Sequence, residues 1–193
     1  MNRTTASTVI DDPRTTFDHA VALATALIGR VGAHQLANPT PCPEFDVGTL
    51  LGHMTTVLRR VAALGRGDDP FGPDVLAPVD GGLTETWLAA AGEVQAAWAE
   101  DDVLSRTIHL PWSQASGAAT LLSYLNEVTV HTWDLATATG QRPAWDPQVL
   151  SLAFDGIRFL PEEKRGSFFA DAVPIAEDAP LIDRLVAWNG RRP

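Results

Sequence analysis

The run Leu121-Leu-Ser-Tyr-Leu-Asn-Glu-Val-Thr-Val-His-Thr-Trp-Asp-Leu135 repeats its apolar residues at helical spacing, yet the same stripe carries a carboxylate and an imidazole. One turn of helix takes about 3.6 residues. With Glu127 at zero on a wheel, His131 falls at about 40°, Tyr124 near 60°, Leu135 near 80°, Val128 near 100° and Leu121 near 120°. Glu127 and His131 therefore share the core-facing side with the leucines. A fold that turns Glu127 inward must give it a partner, because desolvating a lone carboxylate is severely unfavourable. His131 can be that partner as a simple salt bridge. A divalent metal held with further ligands can be another.

A third ligand is available on a second helix. In the segment Asp46–Leu64 the stripe is Leu50, Met54, Val57, Val61 and Leu64, and His53 lies on its margin, within about 60° of Leu50, Val57 and Leu64. His53, Glu127 and His131 facing one interior make a His2Glu set with an open position. That composition suits zinc, or nickel, cobalt or iron. The competing reading of His53 is a hydrogen-bonded histidine at the edge of the core.

These stripes need a chain able to bury them, and 193 residues with 45% hydrophobic content suffice for one domain over 1–193. The formal net charge of −10 and pI near 4.8 argue against nucleic acid or an anionic membrane surface as partner. No apolar run reaches membrane-spanning length. The stretch Met1–Thr8 lacks the apolar core of a signal peptide. Cys42 is the single cysteine, which excludes an internal disulfide framework and fits a reducing cytoplasm. Lys164 is the one lysine among 14 basic residues, a bias without a folding rationale.

Four long helices follow from the periodicity. The first spans about 15–33 with Phe17, Val21, Ala24, Ile28 and Val31 inward; His19 lies on the wet side and His34 near the end, both as surface residues. Three prolines within Pro39–Pro43 forbid helix in the loop 36–46. Asp46 then serves as N-cap of the second helix. A Gly/Pro/Asp-rich linker covers 65–82, and the third helix, about 82–100, turns Leu83, Trp87, Ala91, Val94 and Trp98 to one side. The alternation Leu104, Arg106, Ile108, Leu110 reads as a short strand that Pro111-Trp112 breaks, with His109 toward solvent. The fourth helix ends at Gly140, a C-cap. Beyond it come a helix at about 146–159, an extended piece with Phe168, Phe169, Val173 and Ile175, and a short helix Leu181–Trp188. The expected fold is all-α: a four-helix-bundle core over about 15–140, a short β segment before the fourth helix, and a helical and extended appendage over about 146–190.

Two runs carry a family resemblance: Thr40-Pro-Cys-Pro-Glu-Phe-Asp-Val-Gly-Thr-Leu-Leu-Gly-His53 and Glu127-Val-Thr-Val-His-Thr-Trp-Asp-Leu-Ala-Thr-Ala-Thr-Gly-Gln141. Together they resemble the actinobacterial branch of the DinB/YfiT-like superfamily, near the mycothiol-dependent maleylpyruvate isomerases and related thiol S-transferases. The tail, with Phe169–Val173 and Asp183–Gly190, resembles the uncharacterised metal-binding branch of that group. The likeness runs from about Phe17 to Gly190. It implies a four-helix bundle holding a divalent metal, zinc or nickel first, by His53, Glu127 and His131. It also implies mycothiol or another low-molecular-weight thiol as cosubstrate, bound to the metal as thiolate and attacking a small electrophile. Coordination lowers a thiol's pKa, which makes this chemistry physically sound. The chain has no sizeable C-terminal domain of the kind those isomerases use, so isomerisation of maleylpyruvate itself is not expected.

Other residues carry two readings each. Asp134, about 20° from Glu127 on the wheel, hydrogen-bonds a ligand from behind, serves as an extra ligand, or sits at the solvent edge. Arg60, seven residues after His53, either binds an anionic substrate or thiol carboxylate, or pairs with a surface acid. Cys42 is a buried structural cysteine or a thiol activated at a helix N-terminus. Tyr124 reads as core rather than general acid, and Trp112 and Trp133 as pocket or interface aromatics. Functionally, a metal- and thiol-dependent transferase or isomerase stands beside a metal-dependent hydrolase and a non-catalytic metal-binding or partner-binding bundle. The expected partners are a small-molecule substrate or thiol, and the sequence is compatible with a homodimer.

Overall fold

The computed structural model describes residues 12–72, 82–158 and 170–193. Its elements, in chain order, are α1 (Pro13–Ile28), a 3-10 turn (Ala33–Gln35), α2 (Val47–Arg66), α3 (Leu83–Ala97), the one-turn α4 (Asp102–Ser105), β1 (Thr107–Leu110), β2 (Ser113–Ser116), α5 (Gly117–Thr139), α6 (Pro147–Arg158) and α7 (Leu181–Trp188). This is the all-α bundle expected, with a short β segment. The Met1–Thr8 stretch, part of the 65–82 linker, and Phe168 and Phe169 lie outside the described residues.

Helix boundaries follow local chemistry. The Asp12 side chain accepts from Arg14 N at 3.0 Å, and Pro13 takes the first helical position, where its missing N–H is no loss. Asp46 caps α2 as expected, accepting from Thr49 N at 2.8 Å. Ser116 caps α5 by accepting from Ala119 N at 3.2 Å, so that helix begins a turn before the leucine run. Gly140 closes α5 in the left-handed conformation, as expected.

Two expectations are corrected. The first helix ends at Ile28 rather than near residue 33, because Gly29 and Gly32 disfavour continuation and Gln35 Oε1 accepts from Gly32 N to start a separate 3-10 turn. Leu104 belongs to α4, not to a strand, and the strand begins at Thr107. It pairs antiparallel with Ser113–Ser116 across a Pro111-Trp112 turn. Sequence reading missed β2 because Ser-Gln-Ala-Ser carries no apolar alternation; the pairing with β1 makes it a strand. His109 is exposed, as expected.

α2 lies between α3 and α5, and α1 packs on α5, α3 and α6. The core stripes are buried, with Phe17, Leu50, Met54, Trp87, Leu121 and Leu125 at 2% exposure or less. Trp87 Nε1 donates to Thr25 Oγ1 at 2.7 Å and Trp98 Nε1 to Val61 O at 2.8 Å, so both indoles bury their rings without orphaning a donor.

α2 and α5 run antiparallel. Asn38, before α2, donates from Nδ2 to Ala138 O near the end of α5 at 3.1 Å. At the other end Arg106 donates to Gly65 O at 3.1 Å, while its own carbonyl accepts from Gly117 N at 2.8 Å. α7 packs on α6 and α5, and a reciprocal amide pair ties its end to α5. Asn126 donates to Asn189 Oδ1 at 3.1 Å, and Asn189 donates back to Asn126 Oδ1 at 3.0 Å. Gly190, with φ of 81°, then reverses the chain in a conformation that side chains resist. The reversal lets Arg191 N donate to Val186 O at 2.9 Å and turns the Arg191 side chain inward.

Close approach of α2 and α3 depends on Gly65, where an added Cβ would stand 2.7 Å from Trp98 Nε1 and 2.8 Å from Ala97 O. Gly65→Ala is therefore expected to destabilise the fold by about 1–3 kcal/mol through overpacking. Urea unfolding checks this: the midpoint should fall with the slope unchanged.

Candidate metal centre

His53 comes from the second turn of α2, and Glu127 and His131 from adjacent turns of α5. The antiparallel packing sets them level. His53 Nε2 lies 3.2 Å from Glu127 Oε1, and His131 Nε2 lies 3.4 Å from the same oxygen. One donor atom from each of the three residues falls within 4.8 Å of the other two. The rings of His53 and His131 meet edge to face at 4.8 Å. Both partners that the sequence offered Glu127 are thus physically reasonable: two imidazoles already surround its carboxylate, and the three donors sit at ligand spacing.

The electrostatics follow from that crowding. Burial alone would raise the Glu127 pKa, but hydrogen bonding to His131 and His53 outweighs it and holds the carboxyl well below the usual range. Burial would likewise lower His131, yet its bonds to Asp134 and Glu127 push it up to about 9. The side chains of His53 and Glu127 are 24% and 30% exposed, against 8% for His131. The group therefore has a closed side at His131 and an open side at His53 and Glu127.

Behind His131 stands Asp134, whose side chain has no exposed surface. The solvent-edge reading is thus wrong. His131 Nδ1 donates to Asp134 Oδ2 at 3.0 Å, which leaves Nε2 facing Glu127. Arg191 closes the other side of the carboxylate with a fork, Nε to Oδ1 at 3.2 Å and Nη2 to Oδ2 at 2.8 Å. Arg191 was missed in the sequence. A buried Asp134 announces that some cation must meet it, but nothing in the spacing selects Arg191 from the many arginines.

Phe45 was missed as well. Its ring lies 4.9 Å from that of His53 and 6.3 Å from that of His131, so the residue just before the α2 N-cap roofs both imidazoles. The Pro-rich loop holds it there: Thr40 Oγ1 donates at 2.8 Å to Phe45 O, and Phe45 N donates to Cys42 O at 3.0 Å. Cys42 is half-buried and outside the three-residue group; burial pushes its thiol up, with Arg191 opposing. The structure therefore disfavours an activated Cys42.

Among the described residues no acid pairs with Arg60. It is half-buried, its guanidinium stacks at 5.2 Å on the Phe71 ring, and its Nε is buried without a hydrogen-bond partner among the described residues. Tyr124 is a core residue, as expected, and its buried hydroxyl has no hydrogen-bond partner among the described residues. Trp112 packs edge-on against Phe71 at 5.7 Å. His19 and His34 are exposed, as expected, with His19 Nδ1 3.2 Å from Asp146 Oδ2.

Comparison with known proteins agrees with this architecture. Residues 17–136 match the mycothiol maleylpyruvate isomerase N-terminal domain, and the chain belongs to that family. Two uncharacterised Mycobacterium tuberculosis proteins, MT0763 from strain CDC 1551 / Oshkosh and Rv0738 from strain ATCC 25618 / H37Rv, are each 31% identical over 185 residues. Those alignments cover 93% of this chain and 98% of each relative. No solved structure matches the chain significantly.

Arg191→Met should leave Asp134 buried without its cation and destabilise the protein by about 3 kcal/mol. A double-mutant cycle with Asp134→Asn should show strong coupling between the two changes. A pH prediction follows for protein stripped of divalent ions. His131 gains proton affinity on folding, so its contribution is complete below its ordinary 6.5 and is lost as pH rises through about 9. Glu127 contributes above its ordinary 4.5 and loses that contribution as pH falls. Thermal melts of the stripped protein should therefore weaken from neutral toward alkaline pH, and His131→Gln should flatten that decline.

Proposed function

We propose that the protein binds one divalent metal through His53, Glu127 and His131, and that this centre serves a thiol-dependent transfer or isomerisation of a small electrophile. The spacing of the three donors carries the reading. Ligands about 2.0–2.1 Å from a tetrahedral ion stand about 3.3 Å apart, and the carboxylate oxygen lies 3.2 and 3.4 Å from the two imidazole nitrogens. The two imidazole donors are themselves within 4.8 Å of each other, which lets all three groups face a common point. Zinc or nickel suits two nitrogens and one oxygen.

The surrounding residues fit that role. Asp134, itself fixed by Arg191, accepts from His131 Nδ1 and so turns Nε2 toward Glu127, where a divalent ion would displace the proton that Nε2 carries in the stripped protein. Phe45 covers the imidazoles and limits water on that side. The exposed edges of His53 and Glu127 leave an approach for a ligand from solution. A divalent ion held here would supply a Lewis-acid centre that keeps an incoming thiol deprotonated at neutral pH. The thiol has to come from outside: Cys42 is the only cysteine, and burial keeps it protonated. Membership of the mycothiol maleylpyruvate isomerase N-terminal domain family supports mycothiol as that thiol. Among the described residues no helix is long and apolar enough to cross a membrane, in keeping with the cytoplasmic setting such a thiol requires.

Metal analysis of the purified protein should find about one divalent ion per chain. His53→Ala and His131→Ala should each lose stoichiometric binding while retaining helical circular dichroism, because the apolar core forms without the ion. Full metal content in both variants would overturn the ligand assignment. In cobalt-substituted protein, mycothiol should produce an intense sulfur-to-metal charge-transfer band that Cys42→Ser leaves intact. If neither mycothiol nor a glutathione-like control gives a band at about millimolar concentration, the thiol chemistry is wrong and a metal-binding bundle remains.

A further inference from the structure

The two imidazoles of the centre are held by different means. His131 is tied at both nitrogens: Nδ1 donates to Asp134 Oδ2 at 3.0 Å, and Nε2 lies 3.4 Å from Glu127 Oε1. His53 is tied at one. Its Nε2 lies 3.2 Å from Glu127 Oε1, and no other group among the described residues hydrogen-bonds the ring. A ring tied at one nitrogen keeps freedom about χ1 and χ2 unless packing removes it. Metal-ligating histidines almost always have the second nitrogen bonded, which fixes the ring. His53 has ring contacts in place of that bond. The Phe45 ring lies 4.9 Å away with the planes tilted by 36°, and the His131 ring meets it edge to face at 4.8 Å. Both separations fall where aromatic pairs attract. Phe45 also reaches His131, more distantly at 6.3 Å, but there Asp134 already fixes the ring.

The loop before α2 aims Phe45 at that position. Phe45 O accepts from Thr40 N at 3.3 Å and from Thr40 Oγ1 at 2.8 Å, and Phe45 N donates to Cys42 O at 3.0 Å. Pro39 and Asp46 form an antiparallel bridge across the loop. On the helix side Asp46 caps α2 through Thr49 N, and Val47 N donates to Asn38 O at 3.0 Å. Both flanks of Phe45 are therefore fixed. The helix that begins just after it carries His53 about two turns on. Ring and ligand share one rigid frame. We infer that Phe45 is the positioning residue of His53: by packing, its ring holds Nε2 toward Glu127, as Asp134 does for His131 by hydrogen bond. The consequence for metal affinity rests on the His53/Glu127/His131 ligand reading; the positioning of the ring does not.

The chain has five histidines, few enough for each ring to be followed separately in full-length protein labelled with 13C,15N-histidine. Three-bond couplings about χ1 report whether a ring occupies one rotamer. In wild-type protein stripped of divalent ions, His53 and His131 should each show a single rotamer. Phe45→Ala should average the His53 couplings and leave those of His131 as in wild type, because Asp134 still holds that ring. A merely structural role for Phe45 would loosen the bundle and disturb both histidines together. Phe45→Trp restores a flat ring and should recover His53. Phe45→Leu keeps apolar volume without the ring and should not; it decides the matter if the alanine variant fails to fold. In zinc competition titrations the alanine and leucine variants should bind about tenfold more weakly than wild type, and the tryptophan variant as tightly as wild type. A single His53 rotamer in both the alanine and leucine variants, or averaging of His53 and His131 together, would overturn the inference. Averaging of His53 with undiminished zinc affinity would overturn the role of Phe45 at the metal centre. If wild-type protein binds no zinc, the ligand reading alone falls, since the couplings of the stripped protein decide the positioning by themselves.

Discussion

A single carboxylate oxygen, Glu127 Oε1, receives imidazoles from two helices, and the geometry of the centre depends on that convergence. It requires α2 and α5 to pack antiparallel with His53 level with the turn between Glu127 and His131. The register is held at both ends, by Asn38 on the last turn of α5 and by Arg106 bridging Gly65 to the start of α5. Between those ties the apolar stripes interlock, and Gly65 lets Trp98 of the α3 end close over α2. A slip of one residue on either helix would rotate its side chain by about 100° and dissolve the group. The bundle core therefore does more than stabilise the chain; it sets a distance of a few ångströms between side chains 74 positions apart.

The second constraint is the chain from His131 through Asp134 to Arg191. A fully buried aspartate is tolerable only with strong donors on both oxygens, and here the imidazole and the arginine fork provide them. The C-terminal segment is thereby part of the centre. α7 is anchored by the Asn126–Asn189 amide pair, and Gly190 turns the chain so that the Arg191 side chain enters behind His131. The position of His131 thus depends on residues that follow the bundle core, which gives the appendage a physical purpose.

The two sides of the centre differ in character. On the closed side, Asp134, Arg191 and Phe45 fix the ring of His131 and exclude water. On the open side, His53 and Glu127 keep exposed edges. The group therefore has a rigid back and a front that solvent reaches.

What the sequence determined is what periodicity can encode. Stripes at 3.6-residue spacing defined α1, α2, α3 and α5, Asp46 and Gly140 marked two of their ends, and the same arithmetic turned His53, Glu127 and His131 toward one interior. Asp134 was already ambiguous at that level, since a wheel gives direction and not the depth of burial. The rest needed tertiary structure because it joins residues with no periodic relation. Arg191 reaches Asp134 across 57 positions, Phe45 roofs the histidines from a loop, and Ser113–Ser116 becomes a strand only because Thr107–Leu110 lies opposite. Arg60 carried two readings in the sequence, anion binding or a surface ion pair, and only packing showed its Nε buried and its guanidinium stacked on Phe71. Helical pattern is a property of one segment, whereas the partner of a buried charge is chosen by which other segment arrives beside it.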